Sequence, residues 1–206
     1  MPVTPPMTVA PATPAAPRTG LTPLTPAKSG HGARAKPDAP RLGVFGGAFN
    51  PVHRDHLKLA LKAASRFALS RVLIIPNSAP PHKDTCKISY AHRRRMLELA
   101  LKELCAQQIP GASRLEICDL EEDAGGLHYT CDTLAGLRAR LGDDAALFFL
   151  MGADSLLSLD TWKQGLRLTE LAHLVSVSRP GFKARPLPAA VGALLLHCGL
   201  GPLEDR

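Results

Sequence analysis

Residues Arg41-Leu42-Gly43-Val44-Phe45-Gly46-Gly47-Ala48-Phe49-Asn50-Pro51-Val52-His53-Arg54-Asp55-His56 read as a strand, a glycine turn, two histidines and the start of a helix. Leu42, Val44 and Phe45 make an apolar β run. Gly46 and Gly47 lack the Cβ atoms that would keep a bulky anion away from the backbone. Pro51 closes the extended segment. From Val52 onward, Leu57, Leu59, Ala60, Leu61 and Ala64 follow the pattern of a buried helix. His53 and His56 then stand three residues apart in its first turn, on one face. A helix start offers N–H groups without intrahelical acceptors and a partial positive charge, which together receive phosphate. Two imidazoles there add donors to phosphate oxygens. The competing account is an ordinary strand-to-helix joint with two incidental histidines. The glycines, the proline and both histidines falling in one local order weigh against it.

Working outward, apolar segments alternate in type. Strands are expected at 42–46, 71–76, 114–119, 145–151 and 172–178, and helices at 54–67, 89–107, 130–141 and around 160–171. Leu97, Leu99, Ala100, Leu101 and Leu104 give the second helix its apolar face. Such alternation implies βαβ units. The fold class expected is α/β, a Rossmann-like doubly wound parallel sheet of about five strands with helices on both faces. Sheets of that kind bind ligands beyond the carboxyl ends of the strands, where the strand order reverses. The glycine turn lies at such an end.

The chain has 206 residues and a net charge of +7. Arg18, Lys28, Arg34, Lys36 and Arg41 against Asp38 place +4 of that charge in the first 41 residues. The basic balance is therefore mostly a property of the N-terminal tail and argues weakly for nucleic acid, which is not expected as a partner. Residues 1–40 are rich in Pro, Ala and Thr with little apolar bulk, so a disordered extension is expected there. Residues 41–206 are expected to form one folded domain. Cys86, Cys105, Cys118, Cys131 and Cys198 are widely spaced with no C-x-x-C pair, which fits reduced thiols in a cytoplasmic protein and no zinc site. No apolar run reaches the length needed to span a membrane.

Gly46-Gly47-Ala48-Phe49-Asn50-Pro51-Val52-His53-Arg54-Asp55-His56 resembles the G-G-[ST]-F-[DN]-P-x-H-x-G-H signature of the nucleotidyltransferase superfamily. Further stretches narrow the likeness. Pro76-Asn77-Ser78-Ala79-Pro80-Pro81-His82-Lys83 is similar to P-N-x-x-P-P-H-K, and Arg93-Arg94-Arg95-Met96-Leu97 to R-x-x-M-L. His128-Tyr129-Thr130-Cys131-Asp132-Thr133-Leu134 resembles S-Y-T-x-D-T-L. Gly152-Ala153-Asp154-Ser155-Leu156, Trp162-Lys163 and Ser178-Arg179-Pro180-Gly181 resemble G-A-D-S-L, W-K and S-R-P-G. From Leu42 to Gly181 the motifs stand in the order found in bacterial nicotinate-nucleotide adenylyltransferases.

The resemblance implies transfer of the adenylyl group of ATP to nicotinate mononucleotide, giving nicotinate adenine dinucleotide and pyrophosphate. It implies His53 and His56 as catalytic residues, and Gly46, Gly47, Ala48, Phe49, His53, His56, Gly152 and Asp154 as ATP contacts. It implies Lys83, Arg93, Tyr129, Thr130 and Trp162 as mononucleotide contacts. Mg²⁺ would accompany ATP, held by phosphates and water with no metal site on the protein. The attacking group is the mononucleotide's own phosphate oxygen, so positioning and charge stabilisation carry the reaction. Alternatives stay open at several positions. Asp154 is a ribose or Mg²⁺-water contact or a helix cap. Trp162 is a stacking platform or core. Thr130 holds the nicotinate carboxylate through its N–H or is a simple cap. Lys83 is a phosphate contact or a solvated loop lysine.

The chain departs from the pattern in places. Asp55 replaces the glycine of H-x-G-H, Ala48 replaces Ser or Thr, and His128 replaces the serine of S-Y-T. Glu121 keeps the acid of the family's E-x-x-R, but Ala124 stands where the arginine would be. The run Leu194–Arg206 lacks an I-S-S-T-x-I-R segment, which in the family holds ATP phosphates. Two other functions therefore remain in view. One is a catalytically impaired nucleotide-binding remnant of the family. The other is an adenylyltransferase or cytidylyltransferase for another phosphorylated acceptor.

Overall fold

The computed structural model of the protein describes residues 39–78, 88–124, 128–177, 186 and 188–191. Five parallel strands form one sheet: β1 (Arg41–Gly47), β2 (Arg71–Pro76), β3 (Leu115–Ile117), β4 (Ala146–Gly152) and β5 (His173–Val177). Their order is β3-β2-β1-β4-β5, so the chain reverses direction across the sheet between β1 and β4. That is the switch point at which an open α/β sheet receives ligands. The register sets Gly46 beside Ile75, and Gly47 beside Pro76, at the same end of the sheet.

Side-chain alternation along each strand feeds two cores. Leu42, Val44, Leu73, Ile75, Leu147, Phe149 and Met151 point to one face. There they meet Leu120 of the short helix α3 (Leu120–Ala124), Leu134 and Leu137 of α4 (Thr130–Leu141), and Leu168 of α6 (Leu168–Leu171). Phe45, Val72, Ile74, Phe148 and Leu150 point to the other face. They meet Leu57, Ala60 and Ala64 of α1 (Arg54–Arg66) and Leu97 of α2 (Tyr90–Ala106). Burying each such aliphatic side chain contributes about 1.5–3 kcal/mol, so the β strands read as near-continuous apolar runs.

Two expectations change. The strand expected at 114–119 is three residues long, because a 3₁₀ turn at Ala112–Arg114 runs directly into it. The helix expected around 160–171 is broken. It consists of 3₁₀ turns Leu159–Thr161 and Gly165–Arg167, with extended Trp162 and left-handed Gln164 between them, and then the single-turn α6. The cause is a close approach: a Cβ at Gly165 would lie 1.9 Å from the carbonyl oxygen of Leu159. The chain folds back on itself there instead of rising as a helix. A further short helix, α5 (Ala153–Leu157), follows β4.

Candidate active site

The carboxyl ends of β1, β2 and β4 open onto a cleft of ≈ 220 Å³. Gly46 and Gly47, expected in a turn but found as the last paired residues of β1, line it with Thr130 from the start of α4 and Trp162. So do Asn77, Glu121, Thr133 and Ser155, four polar residues to which the motif reading gave no role in the site. A Cβ at Gly46 would meet only the Phe149 ring, at 3.9 Å, so it would occupy space otherwise left to a ligand.

The histidines stand at the start of α1, a few residues beyond the end of β1, and are not among the residues that line this cleft. His53 is the N-cap and Arg54 the first helical residue, so His53 stands one position outside the first turn expected for it. The His53 N–H donates to His56 Nδ1 over 3.2 Å. That contact makes Nδ1 the acceptor, so the proton of the neutral His56 ring lies on Nε2. The two rings stack with centroids 3.7 Å apart. Beneath them, His56 packs edge-on against Phe49, centroids 5.2 Å apart. Phe49 is 3% exposed and holds a left-handed φ of 45°. Its ring forms the floor under His56, a reason for the aromatic at that position that does not require a ligand. Asp55 turns its carboxylate toward His53, with Oδ2 3.9 Å from Nδ1, and does not pair with Arg54 or Lys58.

Arg93 differs most from expectation. It is 1% exposed. Its guanidinium donates to the carbonyls of Ala48 and Asn77 at 2.7 Å each and of Ile88 at 3.3 Å. Expected as a mononucleotide contact, it ties Ala48, just past the end of β1, to Asn77, just past the end of β2. The planar five-donor fork of arginine suits three carbonyls that converge from different segments. Arg94 also bonds inward, to both oxygens of Asp119 at 2.8 and 3.0 Å. Tyr90 donates to the same carboxylate at 2.6 Å. Burial first, then the Asp119 hydrogen bond, pushes the Tyr90 phenol well above its usual range.

On the opposite wall, Tyr129 is the N-cap of α4 and Thr130 its first residue. Lys163 Nζ lies 4.3 Å from the centroid of the Tyr129 ring and 3.2 Å from Asp132 Oδ2. Trp162 is half-buried against Phe149, ring centroids 6.5 Å apart at 73°, and still lines the cleft. It is both core and wall. Gly152, not Asp154, caps α5, and Asp154 sits exposed in that helix's first turn with Oδ1 over Gly152. Lys83, with Pro80, Pro81 and His82, lies outside the described residues, as do Ser178–Gly181 and 192–206. Among the described residues no group of three or more His, Cys, Asp or Glu side chains converges as a metal site. No helix among them is long and apolar enough to cross a membrane.

A doubly wound parallel sheet with paired glycines and paired histidines at its switch point defines the Rossmann-like nucleotidyltransferase class. The cytidylyltransferase-like family model matches residues 44–197. A protein of Citrifermentans bemidjiense named "Probable nicotinate-nucleotide adenylyltransferase" is 40% identical over 156 residues, covering 73% of this chain and 68% of that one. A protein of Laribacter hongkongensis with the same name is 41% identical over 152 residues, covering 74% and 66%. The chain belongs to the cytidylyltransferase-like family, on the branch of the nicotinate-nucleotide adenylyltransferases. The fold is shared with the Plasmodium falciparum nicotinic acid mononucleotide adenylyltransferase complexed with NaAD. That match has a TM-score of 0.63 at 18% identity, over 79% of this chain and 72% of that one.

Proposed function

We propose that the protein transfers the adenylyl group of ATP to nicotinate mononucleotide, releasing pyrophosphate, as a cytoplasmic enzyme. The observation that carries this reading is the pairing, at one switch point, of a phosphate-type helix start bearing two stacked histidines with a cleft walled by Trp162. A phosphate oxygen of the mononucleotide attacks the α-phosphorus of ATP. The new P–O bond forms as the bond to the β-phosphate oxygen breaks, and the electron pair leaves with pyrophosphate. No protein nucleophile enters.

His53 and His56 donate to the phosphate oxygens as charge builds on them, an electrostatic role in a preorganised frame. Gly46, Gly47 and Ala48 let the triphosphate approach the backbone, with Gly152 at the end of β4 and Asp154 in the first turn of α5 facing the nucleotide. Phe49 supports His56 from below. Thr130 and Tyr129 offer helix-start N–H groups to the nicotinate carboxylate, and Trp162 stacks on the ring. Lys83 contacts the mononucleotide phosphate, while Arg93 holds both loops in place. Mg²⁺ brought with ATP would supply charge neutralisation of the triphosphate, and exposed Asp154 is the carboxylate that would meet its water.

The test is pyrophosphate release from ATP–Mg²⁺ with nicotinate mononucleotide, nicotinamide mononucleotide and other phosphorylated acceptors. Release with nicotinate mononucleotide is expected. Release with a different acceptor alone, or ATP binding without release, would replace the proposal with one of the two other functions.

A further inference from the structure

Glu121 is 4% exposed and lines the cleft together with Trp162. Its Oε1 accepts from the Thr133 hydroxyl at 2.8 Å and its Oε2 from the Asn77 amide at 3.1 Å. Both donors are neutral. Among the described residues no lysine, arginine or histidine forms an ion pair with it. Arg93 bonds the Asn77 carbonyl without pairing with Glu121. Three residues on, the sequence has Ala124. A carboxylate withdrawn from water without a counter-ion is costly to bury, and its field acts strongly on whatever enters beside it.

We propose that the missing counter-charge arrives with the ligand, as the positive ring of an N-ribosylated pyridinium. This rests on the adenylyltransferase reading and deepens it. In nicotinate mononucleotide the ring nitrogen is quaternary and cationic. A cation over the face of an indole is also favoured, so Glu121 and Trp162 select the same feature. Nicotinamide mononucleotide carries the same ring charge. Glu121 therefore discriminates by ring oxidation state, not between acid and amide. Asn77 and Thr133 hold the carboxylate in place for this task.

The experiment compares nicotinate mononucleotide with its chemically reduced form, whose dihydropyridine ring is neutral, by calorimetry on the full chain. In the native protein the cationic ring should bind about tenfold tighter or better. Glu121→Gln keeps the shape and removes the charge. It should bring the two affinities within about threefold of each other by weakening the cationic form, with ATP affinity unchanged. Equal affinities in the native protein overturn the proposal without any variant being needed. So does a preference that survives in Glu121→Gln. If the native protein releases pyrophosphate but shows no ring-charge preference, the Glu121 proposal fails and the function stands. If it binds neither ring form, both fail.

Discussion

His56 stacks on His53 at 3.7 Å between ring centroids while its Nδ1 accepts the backbone N–H of the same residue. One contact fixes the ring's tautomer and the other its plane. Phe49, buried beneath, prevents the imidazole from turning inward. A donor preorganised in this way should contribute about 3 kcal/mol to the transition state. His56→Ala is therefore expected to lower adenylyl transfer by two to three decades with little change in melting temperature. Near-normal turnover in a folded variant would remove the histidine from the mechanism.

Arg93 should behave as a brace. Arg93→Met removes the charged donor shared by the half-buried carbonyls of Ala48 and Asn77 and the exposed one of Ile88, a net loss of about 2–4 kcal/mol because water can replace part of it. A fall in melting temperature of roughly 5–10 °C is expected, with weaker binding of both substrates, because both loops lose their tie. Arg93→Lys should recover part of the stability. Selective loss of mononucleotide binding at unchanged stability would restore the direct contact expected from the motif.

Gly165 sets the position of Trp162. With Gln164 at φ 52° and the Leu159 carbonyl where a Cβ would go, Gly165→Ala must push the loop apart. Calorimetry should show weakened mononucleotide binding and little change for ATP, the same signature expected of Trp162→Ala. Equal weakening of both ligands by Trp162→Ala, together with lost stability, would leave Trp162 a core residue only.

Asp55 tests the balance of charges at the helix start. At ~6 Å and an effective dielectric of ~20, a carboxylate and a phosphate charge repel by roughly 3 kcal/mol. The Asp55 side chain, however, is 81% exposed, so water screens most of that. Its contact with His53, 3.9 Å between exposed side chains, is too long for a hydrogen bond and adds little. Asp55→Asn should therefore tighten ATP binding by only about threefold. Weaker binding would mean that the carboxylate serves the nucleotide through Mg²⁺.

His173, against Phe148 on the edge strand, supplies a pH signature. Burial first, then Arg138 and Arg41, hold its imidazole below the usual 6.5. Between the two values the unfolded chain binds the proton that the native protein does not. Native stability therefore rises with pH up to about 6.5, and the loss appears as pH falls below it. In a His173→Gln variant the melting temperature should fall less steeply from pH 6.5 to about 5. Parallel curves would show that the His173 environment has no such effect.

The sequence by itself determined the alternation of strands and helices, and with it the parallel sheet. It also determined the helix start bearing His53 and His56 just beyond the first strand, whereas Gly46 and Gly47 proved to be the end of that strand and the turn fell at Asn50-Pro51. These are short-range matters: periods of two and of 3.6 residues, and the local effects of glycine and proline, are complete within about ten residues. Tertiary structure decided what the longer side chains do. Arg93 reaches carbonyls 45, 16 and 5 residues away. Glu121 joins Asn77 and Thr133 across 44 and 12 residues. Trp162 stands in the cleft because the chain folds back where Gly165 passes the Leu159 carbonyl. Each depends on which segments the strand order β3-β2-β1-β4-β5 sets side by side, and an arginine or a glutamate carries no local mark of whether it will meet water, a carbonyl or a ligand.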